Sequence, residues 1–232
     1  MPCTIGLLGD LDLAKPTHRE LHAAVAMLPD GVDARWIHSA SDEARALDGL
    51  DGLWVMPGSP YADADAVEAA IAWALESGTP FLGTCSGFQY ALVVVARELA
   101  GIASAAHAEV APDAEQHVVV PLACSLIGQE REVRPLPGTR LASIVGTEPF
   151  IGFHWCGYGL DDSFAGALEA AGVVISARAP DAGVEGIELP GHPFFVGTLF
   201  QPQMGSTEGR PLHPLITAFL DAAHAHQRTA LA

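Results

Sequence analysis

A glycine-flanked cysteine between an apolar run and a helical pattern constrains this chain more than any other stretch. It reads Phe81-Leu82-Gly83-Thr84-Cys85-Ser86-Gly87-Phe88-Gln89-Tyr90. Residues 81–84 have the character of a short buried strand, and residues 86–99 carry apolar positions at helical spacing. Cys85 therefore falls on the corner, with Gly83 and Gly87 on either side. A strand–turn–helix corner of this kind exposes a nucleophile at the end of a sheet. Glycines let the backbone turn sharply and let a substrate approach it. A thiol at a helix N-terminus meets free N–H groups and the positive end of the dipole, which favour the thiolate. A buried, inert packing cysteine is the competing reading, because free cysteine is among the most buried residue types.

The rest of the chain supplies the sheet that such a corner needs. Residues 4–8, 33–37 and 52–56 read as strands. Thr17 opens a helix with Glu20 in a capping-box position, and Leu21, Ala24, Val25 and Leu28 fall on one face. A second helix over 65–76 presents Val67, Ala70, Ile71 and Ala74, and Gly78 and Pro80 end it. Strand and helix thus alternate through the first hundred residues, which implies an α/β fold with a mostly parallel central sheet covered on both faces. Beyond Gly101 the pattern is less regular. Strands are expected over 117–121, 146–150, 173–177, 186–189 and 194–200, and helices over 162–171 and 214–224, the last with Pro214 in its first turn. No repeat, linker or low-complexity segment interrupts the chain, so a single domain over residues 1–232 is expected.

Charge and cysteine usage narrow the function classes. The formal charge is −17, from 28 acidic against 11 basic residues, and Lys15 is the sole lysine. Such a field repels phosphate backbones and anionic membranes, so neither nucleic acid nor membrane is an expected partner. No apolar run approaches the roughly 18–20 residues of a membrane span, and no signal peptide is visible. Cys3, Cys85, Cys124 and Cys156 lack metal-ligand spacing and are too few for a disulfide scaffold. A cytoplasmic protein with a small-molecule substrate and no metal or cofactor is expected, with homo-oligomerisation left open.

Three stretches together resemble the class I glutamine amidotransferase family, most closely its branch in the glutaminase domain of CTP synthases. They are Pro57-Gly58-Ser59, where the family forms its oxyanion loop; Gly83-Thr84-Cys85-Ser86-Gly87-Phe88-Gln89, which matches the family elbow; and Glu188-Leu189-Pro190-Gly191-His192-Pro193-Phe194-Phe195-Val196-Gly197-Thr198-Leu199-Phe200. Arg210-Pro211-Leu212-His213-Pro214-Leu215 extends the likeness, as does the spacing over 158–169. The chain also resembles stand-alone proteins related to the C-terminal region of CTP synthase. The resemblance implies a flavodoxin-like fold and a cysteine nucleophile. It also exposes departures. Where the family carries the histidine and glutamate of its triad, this chain has Gln201 and Gln203. The family's arginine- and histidine-rich glutamine-binding segment is here Phe153-His154-Trp155-Cys156-Gly157-Tyr158, without arginine. No Gly-x-x-x-x-Gly-Lys-[Ser/Thr] phosphate loop occurs, so the synthase step is not expected of this chain.

A thiol attacking a carbonyl needs a thiolate, oxyanion donors and an acid for the leaving group. The resemblance makes the backbone N–H groups of Ser86 and of Gly58 or Ser59 the donors. A helix terminus alone is worth about 0.3–1 kcal/mol, less than one pKa unit, so Cys85 needs further help. A glutamine amide does not exchange protons near neutral pH, and losing acid–base assistance costs about 10²- to 10⁴-fold in rate. Ordinary glutaminase action is therefore not expected. His154 is the candidate replacement base, or else a core histidine, and Cys156 is either a second reactive thiol facing Cys85 or an apolar filler. Gln89, Tyr158, Gln201 and Gln203 are candidate substrate-binding residues. His192 and His213 are expected to be structural, and Cys3 and Cys124 buried packing residues. Two function classes stay open: a cysteine-dependent hydrolase or transferase acting on a small amide or related C–N bond, and a catalytically silent relative that binds a small metabolite or a protein partner.

Overall fold

Strands whose side chains alternate between two apolar faces set the architecture. The computed structural model describes residues 2–180 and 182–230. In chain order its strands are β1 (Cys3–Leu8), β2 (Val32–Ile37), β3 (Gly52–Val55), β4 (Phe81–Thr84), β5 (Ala105–His107), β6 (Gln116–Pro121), β7 (Gln129–Pro135), β8 (Phe150–His154), β9 (Tyr158–Leu160), β10 (Val174–Ala179), β11 (Gly183–Glu188) and β12 (Phe195–Thr198). Its helices are α1 (Pro16–Ala26), α2 (Ala64–Ser77), α3 (Ser86–Glu98), α4 (Arg140–Val145), α5 (Ala165–Ala170) and α6 (Pro214–Ala230). The main sheet runs β2-β1-β3-β4-β12-β11-β10-β7-β8. It is parallel from β2 to β12 and antiparallel from there to β8. β5, β6 and β9 form a second, three-stranded sheet.

Successive strand residues feed opposite cores, as a period-2 pleat requires. Leu8, Leu53, Val55, Phe81 and Phe195 face Val67, Ile71 and Phe88 of α2 and α3. Leu7, Trp54, Leu82 and Val196 face Leu21 of α1 and Leu215, Ile216 and Phe219 of α6. The parallel half therefore has helices on both faces, as the strand–helix alternation implied. Burial on both sides is what lets β1, β3, β4 and β12 carry no charged residue, whereas β2 at the edge carries Asp33 and Arg35.

The departures lie mainly beyond Gly101. The strand expected over 146–150 instead begins at Phe150, because Gly146 ends α4 at φ 90°. β7 was not foreseen: its sequence, Gln129-Glu130-Arg131-Glu132-Val133-Arg134-Pro135, buries only Val133 and Pro135 and has little apolar signal. The capping box at Thr17 does not form. α1 starts at Pro16, and the Glu20 carboxylate instead accepts hydrogen bonds from the backbone N–H and hydroxyl of Thr207. Cys3 is buried as expected, but Cys124 is exposed, in an irregular segment after β6. Among the described residues no helix is long and apolar enough to cross a membrane.

Candidate active site

The corner at Cys85 is built as its glycines suggested. Cys85 has φ 54° and ψ −107°, and it is the sole non-glycine with positive φ among the described residues. An L-residue held there stores roughly 1–3 kcal/mol of backbone strain. Crowding around it explains both glycines. A Cβ on Gly83 would lie 2.7 Å from the Gly87 carbonyl oxygen, and one on Gly87 would lie 2.2 Å from that of Val55. The Cys85 backbone N–H donates to Thr198 O at 2.8 Å, which ties the corner to the end of β12.

Cys85 sits on a cavity of about 250 Å³ that is also lined by Lys15, Ser59, Ser86, Glu109, Cys156 and Gln201. The connection between β8 and β9 delivers Cys156 to the same cavity, where its thiol interacts with that of Cys85. Cys156, donating to Cys85, holds the Cys85 thiol below its ordinary pKa; burial opposes this, and the Ser86 hydroxyl and N–H add to the lowering. The Cys156 thiol is pushed well up by the same hydrogen bond, by burial and by the charges of Cys85 and Glu185. The pair is thus asymmetric, with the thiolate favoured at Cys85. In its neutral form Cys85 can donate to Trp155 O, 3.6 Å away. Cys3 is remote from this arrangement, and burial and the Asp51 charge raise its thiol to about 11.

The loop expected to stabilise an oxyanion converges on one point. The N–H groups of Gly58 and Ser59 both donate to Ser86 Oγ, at 3.1 and 2.8 Å. Two backbone donors aimed at a single oxygen are the geometry an oxyanion needs, and here the Ser86 hydroxyl is the resident oxygen. His18 holds this loop, a role the sequence reading missed. Its Nε2–H donates to Pro57 O at 2.9 Å, and its Nδ1 accepts from the Asp12 N–H at 2.8 Å. Burial lowers the His18 pKa, consistent with that neutral tautomer. Gly58 has φ 125°, and a Cβ there would meet His18 Nε2 at 2.7 Å.

His154 is not brought to the cavity wall. It is fully buried, and its Nε2 lies 3.0 and 2.9 Å from the two carboxylate oxygens of Glu185, itself fully buried. This is the core-histidine arrangement, with a carboxylate rather than a backbone carbonyl as partner. No histidine lines the cavity among the described residues. Gln201 does, and its Oε1 accepts from Gln203 Nε2 at 2.7 Å. Gln201 Nε2 and Gln203 Oε1 are buried without a protein partner.

Gln89 is committed to structure at the cavity edge. Its Nε2 donates to Tyr158 O at 2.8 Å, and its Oε1 accepts from His107 Nε2 at 3.1 Å, which ties α3 to β9 and β5. Tyr158 itself lines the cavity. Lys15 and Glu109 supply its opposite charges, and Glu109 Oε2 has no protein partner. Both were missed, having no local signal beyond the rarity of lysine. His192 is structural, bonded to Ala74 O at 3.0 Å and accepting from the Phe194 N–H at 3.2 Å.

Comparison with known proteins agrees with this architecture. The model of the family described as glutamine amidotransferase class-I matches residues 12–220. A CTP synthase of Rubrobacter xylanophilus is 34% identical over 203 residues, covering 83% of this chain and 36% of that protein. One from Pyrobaculum aerophilum is 35% identical over 221 residues, covering 87% and 40%. The chain thus spans well under half the length of these relatives. The glutaminase domain of Trypanosoma brucei CTP synthase with bound acivicin superposes with a TM-score of 0.81 at 22% identity, over 96% of this chain and 94% of that one. A putative GMP synthase protein from Thermoplasma acidophilum superposes with a TM-score of 0.70 at 16% identity, over 100% and 99%. With the family model matched over residues 12–220, most of the chain, this chain belongs to the class I glutamine amidotransferase family.

Proposed function

We propose that this chain is a cysteine-dependent hydrolase or transferase acting on a small amide or related C–N bond, with Cys85 as nucleophile. The strained corner that presents the Cys85 thiol to the cavity, beside a second thiol that donates to it, carries the reading. Backbone strain of this size persists where the surrounding structure enforces it, and such sites are commonly functional. The Cys85 thiolate attacks the substrate carbonyl, and the N–H groups of Gly58 and Ser59 receive the developing oxyanion as Ser86 Oγ gives way. Lys15 and Glu109 meet charged groups of a substrate about the size of an amino acid.

Departure of nitrogen is the difficult step. It needs a proton, and Gln201 offers a hydrogen bond where an imidazole would offer an acid. Acylation by esters and activated amides is therefore expected to be fast relative to release of ammonia from a simple amide. Incubation with p-nitrophenyl acetate, read by intact mass and peptide mapping, tests this. One acetyl group on Cys85, absent in Cys85→Ala, is the expected result; no adduct at Cys85 overturns the reading. The Gln201–Gln203 hydrogen bond also favours a second reading, a silent relative that binds a small metabolite through the same cavity. Metabolite binding that survives Cys85→Ala, without any acylation, would select it.

A further inference from the structure

The carbonyl reading leaves two groups of the cavity without a defined part: the Cys156 thiol and the unpartnered amide of Gln201. Cys85 and Cys156 are each 4% exposed and line the same cavity, and Cys85 Sγ lies 3.6 Å from the carbonyl oxygen of Trp155, the residue before Cys156. Two thiols on one small cavity can act as a nucleophile and a resolving partner. Gln201 lines the same cavity, and its Nε2 is a buried hydrogen-bond donor without a protein acceptor.

We propose that Cys85 and Cys156 are a redox couple that reduces a small hydroperoxide, with an external thiol returning the disulfide to two thiols. The Cys85 thiolate attacks the distal oxygen of ROOH and the O–O bond breaks. Cys85 becomes a sulfenic acid, and the departing RO⁻, hydrogen-bonded by Gln201 Nε2, takes a proton from water to leave as ROH. Cys156 then attacks the Cys85 sulfur. The S–O bond breaks, the S–S bond forms, and the hydroxyl leaves as water with the Cys156 proton. Sulfur has lost two electrons and the peroxide has gained them. Two equivalents of an external thiol restore the couple by exchange and leave as their own disulfide. No imidazole is required, because the weak O–O bond yields to a bare thiolate whereas an amine leaving group needs an acid. The inference does not rest on the carbonyl chemistry, although it shares the nucleophile.

The test uses the full chain carrying Cys124→Ala, which removes the exposed thiol. One equivalent of hydrogen peroxide should remove two hydrogens from the intact mass, mapped to a Cys85–Cys156 cross-link. With dithiothreitol as the probe thiol, peroxide should be consumed over many turnovers. Without added thiol, Cys156→Ala should form no cross-link and trap a dimedone adduct at Cys85, and Cys156→Ser should behave likewise despite keeping a hydroxyl donor. Oxidation of Cys85 to sulfinic acid with Cys156 untouched overturns the proposal. So does a cross-link that forms once and supports no turnover, and so does pairing through Cys3. Acetylation of Cys85 by p-nitrophenyl acetate without any cross-linking would sink this inference and leave the hydrolase reading standing. Cross-linking with turnover but no acetylation would do the reverse.

Discussion

Gln203 donates its side-chain N–H to Oε1 of Gln201 at 2.7 Å, so that two amides just past β12 are bonded to each other. Gln201 lines the cavity of Cys85, its Nε2 is buried without a protein partner, and a glutamine amide neither takes up nor gives a proton near neutral pH. Glutamine should therefore yield little ammonia with the wild-type chain, measured against a Cys85→Ala control. Gln201→His combined with Gln203→Glu should raise release of ammonia from a small amide, toward the roughly 10²- to 10⁴-fold that general acid–base assistance contributes. Robust Cys85-dependent glutaminase activity in the wild type would show that another group already serves.

The thiol pair predicts a specific titration. Cys85 should be alkylated by iodoacetamide at a pH where the exposed Cys124 is still slow, because Cys156 lowers the Cys85 pKa. Cys156→Ala removes that donor and should move the Cys85 alkylation profile to higher pH; Cys156→Ser, which retains a donor, should move it less. The pH dependence of labelling at each cysteine, read by mass spectrometry, checks both. An unmoved profile in Cys156→Ala would remove the thiol–thiol hydrogen bond from the account.

His154→Ala should act on stability more than on the nucleophile. It leaves the buried Glu185 side chain without its hydrogen-bond partner, and an unsatisfied buried polar group costs about 1–3 kcal/mol. Denaturant melts should show that loss, while the Cys85 alkylation profile shifts less than in Cys156→Ala. A large shift of the thiol pKa with stability intact would restore His154 as the base.

Acid should weaken the fold through His107. Burial holds its pKa near 4, below the 6.5 of a free imidazole, so the unfolded chain binds a proton more readily than the folded one. Stability contributed by this group is complete above pH 6.5 and is lost as pH falls toward 4. At about 1.4 kcal/mol per pH unit the loss approaches roughly 3 kcal/mol. Urea melts between pH 7.5 and 4.5 measure it, and His107→Gln should flatten the dependence.

Backbone strain at the corner has its own signature. Cys85→Ala keeps the positive φ, whereas Cys85→Gly relieves it. Cys85→Gly should therefore be more stable than Cys85→Ala by about 1 kcal/mol, a rise in Tm of about 2–4 °C for a chain of this size. Calorimetry of the two variants decides it.

What the sequence determined is what neighbouring residues dictate to one another. The elbow was legible because strand, cysteine, helix and both glycines lie within ten consecutive residues, and each constrains the next through its own backbone sterics. The parallel half of the sheet was legible for the same reason, its strands and helices alternating with clear apolar periods. β7 was not, because a strand that buries little leaves little apolar trace. The partners of the site residues were decided by tertiary structure alone. His18 reaches Pro57 across 39 positions, and His154 reaches Glu185 across 31. Sheet order alone would keep β8 and β11 apart, with β10 and β7 between them, but the end of β8 folds back onto the segment after β12, where the Gln201 N–H donates to Phe153 O at 2.9 Å; β12 in turn lies directly beside β4. The same order brings Gln201, just past β12, to the wall beside Cys85, just past β4. Cys156 lines the cavity and His154 does not, although positions two apart in one strand would share a face: His154 ends β8, and Cys156 lies in the connection to β9. Where the strand stops and which way the chain then turns is set by packing against the rest of the fold, and no local stretch of sequence carries it.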